Sequence, residues 1–84
     1  MRIFELRQKE VINISDGCRF GFISDVIFDH EKGHIDKLII PGPGKIFGVF
    51  GREQEYHVPW DCVKKIGDDI TLVDVDIDDA TEDV

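Results

Sequence analysis

Val26-Ile-Phe-Asp-His-Glu-Lys-Gly33-His-Ile-Asp-Lys-Leu-Ile-Ile40 is the stretch on which the reading of the fold turns. Two runs rich in β-branched and aromatic residues flank a polar segment, Asp29 to Gly33, that ends in glycine. Strand formers on either side of a short polar loop predict a β-hairpin, with Gly33 taking the positive-φ position that closes it. The pair sets a register, and the remaining apolar runs add to its edges.

Working outward, Lys9 to Ser15 alternates weakly and predicts a first strand, followed by a turn at Asp16-Gly17. Arg19 to Asp29 is too long and too mixed in phase for one flat strand. Phe20, Phe22, Val26 and Phe28 share one parity, and Ile23 and Ile27 the other. A bulge near Ser24-Asp25 would bring both sets to a core and bend the sheet toward closure. His34 to Ile40 is the next strand, and Pro41-Gly-Pro-Gly44 stops it because proline cannot donate to a ladder.

Lys45 to Gly51 is an apolar segment broken by glycines. Glu55 to Trp60 returns to alternation, with Tyr56, Val58 and Trp60 on one face as expected core. Asp61 to Ile66 predicts one helical turn, Asp61 as its N-cap and Val63 and Ile66 on one side. Gly67 ends it, and Ile70 to Val75 is the last strand. Asp76 to Val84 is expected to fray. The expected architecture is thus all-β: a small single-domain β-barrel of five to six short antiparallel strands with one short helical turn. The domain occupies residues 1–75, and residues 76–84 form an acidic C-terminal tail.

Composition narrows the function classes. The 84 residues make one domain, and 42% hydrophobic with 33% charged residues is ordinary for a globular chain. The net charge of −8 is unevenly placed: residues 1–67 carry ten basic and ten acidic side chains, whereas residues 68–84 carry eight acidic ones and no basic one. A neutral body with a repelling tail is a poor start for gripping phosphate backbones, so no nucleic-acid partner is expected. No apolar run approaches the ~20 residues of a membrane span, and Met1-Arg-Ile-Phe-Glu-Leu-Arg7 lacks a secretory hydrophobic region. The expected location is the cytoplasm, where Cys18 and Cys62, which fit no CxxC pattern, are free thiols.

Taken in order, Asp16-Gly17, Phe20-Gly21, Asp25-Val26, Phe28-Asp29, Gly33-His-Ile35, Leu38-Ile-Ile40, Val58-Pro-Trp60, Val63 and Lys65-Ile-Gly67 resemble the PRC-barrel pattern. With Gly44-Lys-Ile-Phe-Gly-Val-Phe-Gly51 inserted, the chain is similar to the YlmC/YmxH group of sporulation-associated proteins. The likeness covers residues 2–75 and departs at Cys18 and in the tail after Val75. It implies a small β-barrel that serves interaction or assembly rather than catalysis, and it implies no cofactor and no catalytic residue.

The residues agree. His30, His34, His57, Cys18 and Cys62 show no pair at zinc-ligand spacing beyond His30 and His34 at the hairpin turn. Asp74-x-Asp76-x-Asp78 begins like a calcium loop, then fails at Asp79, which stands where glycine is required. Gly42-Pro-Gly-Lys45 lacks the spacing and the Ser or Thr of a phosphate loop. Nothing joins Cys18, Cys62 or Ser24 to a base and an orienting carboxylate, so no catalytic, cofactor-binding or metal residue is assigned.

The candidate site is the loop carrying Lys45, Ile46, Phe47, Val49, Phe50 and Arg52. It is either a flap over the barrel end or an apolar patch for self-association or another protein, with membrane-surface contact the remaining use. A noncatalytic adaptor, dimeric or otherwise homo-oligomeric, is the expected function. The alternative is a small-ligand or metal-binding regulator using the histidines or the acidic end.

Overall fold

The computed structural model describes residues 1–42 and 54–83. A single helical turn, α1 (Ile3–Leu6), leads into β1 (Glu10–Asn13), β2 (Arg19–Phe22), β3 (Asp25–Asp29) and β4 (His34–Pro41). After the segment 43–53 come β5 (Gln54–Pro59), a 3₁₀ turn (Trp60–Cys62), β6 (Val63–Ile66), β7 (Ile70–Val73), a second helical turn α2 (Ile77–Ala80) and β8 (Thr81–Asp83). Two four-stranded ladders form, in the orders β2-β1-β7-β6 and β3-β4-β5-β8. The β-rich fold of the sequence reading holds, with eight strands among the described residues where five or six were expected. One pairing, β1 with β7, is parallel where only antiparallel pairs were expected.

The hairpin of residues 26–40 is present as β3 and β4. Gly33 sits at φ +71° with its N–H on the Asp29 carbonyl, 2.7 Å away. Asp29 Oδ1 accepts from the N–H groups of Glu31 and Lys32, so one carboxylate organises the whole turn. At the other end of β4, Gly42 donates to the Gln54 carbonyl at 2.8 Å, and a Cβ on residue 42 would lie 2.7 Å from that same oxygen. Glycine there lets the two roots of the 43–53 segment close on each other.

Arg19 to Asp29 does not run as one bulged strand. It breaks at Ile23-Ser24 and changes sheets, with the Ser24 N–H bonded to the Ile39 carbonyl at 2.8 Å. The bulge lies earlier: Val11 pairs with Gly21 and Ile12 with Arg19, leaving Phe20 as the extra residue. That offset turns Phe20 inward, where its ring meets Tyr56 at 4.6 Å between centroids, while Phe22 is left outside opposite Glu10.

Both sheets feed one core of Leu6, Val11, Phe20, Ile23, Leu38, Ile40, Tyr56, Val58 and Val73. Two polar side chains are buried with it. Asn13 at the end of β1 donates from Nδ2 to the Val75 carbonyl (2.8 Å) and accepts from the Val75 N–H at Oδ1 (3.0 Å), clamping the chain just beyond β7. Thr71 on β7 is fully buried, and its hydroxyl has no hydrogen-bond partner among the described residues.

Three further expectations are corrected. Val63 to Ile66 is a strand paired with β7, not a helical turn, and the short helix is the 3₁₀ turn before it. Its cap position is Pro59 and Asp61 makes no cap, so a lone turn of β-branched residues gains more from the ladder than from helix. Trp60 is only half-buried, because strand alternation ends at Pro59 and the 3₁₀ turn swings the indole to the margin of the core. Asp76 to Asp83 is not frayed. Asp76 caps α2 by accepting from the N–H groups of Asp78 and Asp79, Ala80 is buried, and β8 pairs with β5.

Candidate interaction surface

At the hairpin end the space between the two sheets is not filled by the described residues. β3 presents Val26 and Phe28 on one face, since alternate residues of a strand share a side. Across the ladder Val26 faces Leu38 and Phe28 faces Ile35, although Ile35 and Leu38 differ in parity. A bulge makes this work: Ile27 pairs with Lys37 and Phe28 with Ile35, so Asp36 is unopposed and Ile35 rotates to the core side. Trp60 enters from the 3₁₀ turn and Ile3 from α1.

These residues, with Gly33 and His34, line an open apolar mouth of about 550 Å³. Val26, Ile35 and Trp60 pack against the core from its margin, but Phe28 is 62% exposed and Ile3 is 52% exposed. Aromatic and aliphatic groups held this openly by a rigid hairpin are what a partner desolvates on binding.

The sequence-selected loop residues Lys45, Ile46, Phe47, Val49, Phe50 and Arg52 lie outside the described residues; only its roots at Gly42 and Gln54 are placed. The mouth was missed from sequence, because Phe28 and Val26 alternate as a core-facing pair would. Nor did the pattern of residues 1–8 announce α1, a single turn whose Leu6 reaches the core.

A second, smaller cleft of about 320 Å³ lies beside the C-terminal turn, among Lys37, His57, Cys62, Asp74 and Asp79. His57 Nε2 lies 3.0 Å from Glu55 Oε1. His30 and His34 sit on the hairpin turn and at the start of β4, and His57 on β5. Among the described residues no three of His, Cys, Asp and Glu gather as a metal-ligand set. Both cysteines are free and half-buried. Burial, and secondarily the Cys18 charge, push the Tyr56 phenol above its usual range.

A profile for the PRC-barrel domain matches residues 1–84. The chain belongs to the PRC-barrel family. Among PRC-barrel relatives, the probable sporulation protein YlmC of Bacillus subtilis is 41% identical over 71 residues, covering 84% of this chain and 88% of the relative. The uncharacterised YmxH of the same organism is 35% identical over 77 residues, covering 89% of each chain. An uncharacterised protein of Clostridium acetobutylicum is 34% identical over 71 residues, covering 84% of this chain and 80% of that one. Among the described residues no helix is long and apolar enough to cross a membrane.

Proposed function

We propose that this PRC-barrel is a noncatalytic assembly module of the cytoplasm, working through protein contacts in the sporulation programme for which its relative YlmC is named. The observation that carries the reading is the open apolar mouth, where Phe28 and Ile3 stand exposed beside a half-buried Trp60. A domain this small gains little by leaving such groups in water unless a partner covers them. The loop Lys45–Arg52 supplies the second half of the association surface. It holds four apolar side chains within a glycine-broken stretch, bracketed by positive charge.

Sedimentation velocity across a wide protein concentration range tests this. The wild-type chain should form a dimer or a small homo-oligomer. Replacing Phe47 and Phe50 together by Ser should leave circular dichroism unchanged and shift the protein to smaller species. A wild-type chain that stays monomeric throughout removes self-association. A double variant that unfolds outright makes the loop part of the core rather than an interface.

A further inference from the structure

We infer that the outer face of the β2-β1-β7-β6 sheet is a self-pairing surface, on which a second copy packs with its strands crossed at about 90°. This rests on the reading of the chain as an assembly module and adds a surface distinct from the mouth.

Alternation and register decide which side chains reach that face. Val11, Asn13, Thr71 and Val73 are fully buried on the core side, so Ile12 and Leu72, directly opposite each other, point outward. Around them stand Phe22, 54% exposed, Ile14, 49% exposed, and Ile70. The β1–β7 pair is parallel, and parallel strands carry near-continuous apolar runs where both faces of a sheet are covered. Val11 to Ile14 and Ile70 to Val73 are two such runs, in which the core takes one side and Phe22, Ile14 and Ile70 mark the other.

The charges on the same face name the occupant. Arg19 is opposite Ile12 and Lys65 is opposite Leu72, so the two cations end a single row that crosses the sheet. The anions lie at the two ends of the central strands. Glu10 is paired with Ile70 at one end, and Asp74 follows Val73 at the other, turned outward between core-packed Val73 and Val75. Arg19 already reaches Glu10 within the chain, at 2.8 Å, and Asp74 also borders the cleft beside α2. Three strand spacings of ~4.8 Å part the cations by ~14 Å, and four residues at ~3.3 Å part the anions by ~13 Å along the strands.

Because the two axes match in length, a copy turned through a right angle is complementary to the first. A two-fold axis in the plane of contact, at about 45° to the strands, achieves this. Arg19 then meets Glu10 of the second copy and Lys65 meets its Asp74, each contact made twice. Phe22, at the corner between Arg19 and Glu10, meets its own counterpart on the axis. Aligned strands instead set Lys65 against Arg19, or each cation against itself, which is repulsive. A face only ~14 Å by ~13 Å is smaller than the ~800 Å² per partner of a standard interface, so the dissociation constant should be on the order of micromolar.

Sedimentation velocity on the full chain and its charge-reversal variants tests the assignment. Lys65→Glu and Asp74→Lys, both at exposed positions, should keep the wild-type circular dichroism and each weaken self-association at least tenfold. Mixed in equal amounts they should dimerise again, because each reversed charge then faces the opposite sign on the other variant. Phe22→Ser should also raise the dissociation constant at least tenfold.

A Lys65→Glu protein that associates more tightly than wild type overturns the crossed packing, since that is the result aligned strands give. Variants that associate as the wild type does, or a mixture that stays monomeric while the wild type dimerises, overturn this face and leave the assembly reading standing on the mouth. A wild-type chain that is still monomeric at millimolar concentration overturns both.

Discussion

Asn13 is the side chain whose loss the fold should feel most for its size. It is fully buried, and both ends of its amide grip the Val75 peptide, at 2.8 Å and 3.0 Å. The clamp stands where the parallel β1–β7 ladder ends and the chain departs toward α2, so it substitutes for the next rung. Asn13→Ala removes two hydrogen bonds at ~1 kcal/mol each and leaves a small void, for a loss of roughly 2–3 kcal/mol. Ser15 Oγ, 3.3 Å from the Val75 carbonyl, retains part of one contact. A domain of this length holds on the order of 4–12 kcal/mol, so the melting temperature should fall by ~10–20 °C.

Asn13→Asp sharpens the test. The carboxylate still accepts from the Val75 N–H, but it turns a lone pair on the Val75 carbonyl where an N–H had donated. Burial disfavours the charged form, so the introduced carboxyl has a folded-state pKa above its unfolded value of ~3.9. Its protonated form can donate to the Val75 carbonyl, and that contribution is present below pH ~4 and lost as pH rises through the folded value. N13D should therefore be less stable than N13A at pH 7, with the gap narrowing toward pH 4. Urea titrations of both variants at several pH values measure it. An N13D protein as stable as N13A at pH 7, or a gap independent of pH, would refute the clamp as the source of the stability.

Thr71→Val keeps the β-branched shape and deletes a buried hydroxyl that has no partner among the described residues, so it should raise stability by ~0.5–1.5 kcal/mol in chemical denaturation. The raised pKa of Tyr56 makes folding favour the neutral phenol. That contribution is intact below pH ~10 and is lost as pH climbs through the folded value, so absorbance at ~295 nm should titrate later in the native chain than in urea. Ending the chain after Val75 removes buried Ala80 and the β5–β8 pairs, at a cost of ~1–2 kcal/mol in thermal unfolding. The loss stays small because Glu82 stands opposite Glu55, a like-charge pair that already weakens this edge.

Local chemistry was legible wherever a few neighbouring residues determine the outcome. The hairpin followed from Asp29 and Gly33, the first turn from Asp16-Gly17, and the end of β4 from Pro41. Misreadings arose where distant partners decide. Val63 to Ile66 has a spacing compatible with one helical turn, but β7 offers a full ladder alongside. The acidic end looked unable to bury anything, yet Asp76 spends its carboxylate as a cap and one alanine finds the core. Strand alternation also misled at Trp60, since period-two reasoning fails at the residue where the strand stops.

The candidate site was hidden for a related reason. Val26 and Phe28 do face the core side of their sheet, as parity requires, so the reading of their direction was sound. What sequence could not supply was whether the opposite wall extends that far. β2, in the facing sheet, ends at Phe22, and with Phe20 already committed to Tyr56 nothing from it covers Phe28. An interface residue and a core residue obey the same alternation and differ only in whether the partner surface lies in the same chain. The apolar mouth is therefore the place where the described residues of this barrel stop filling it.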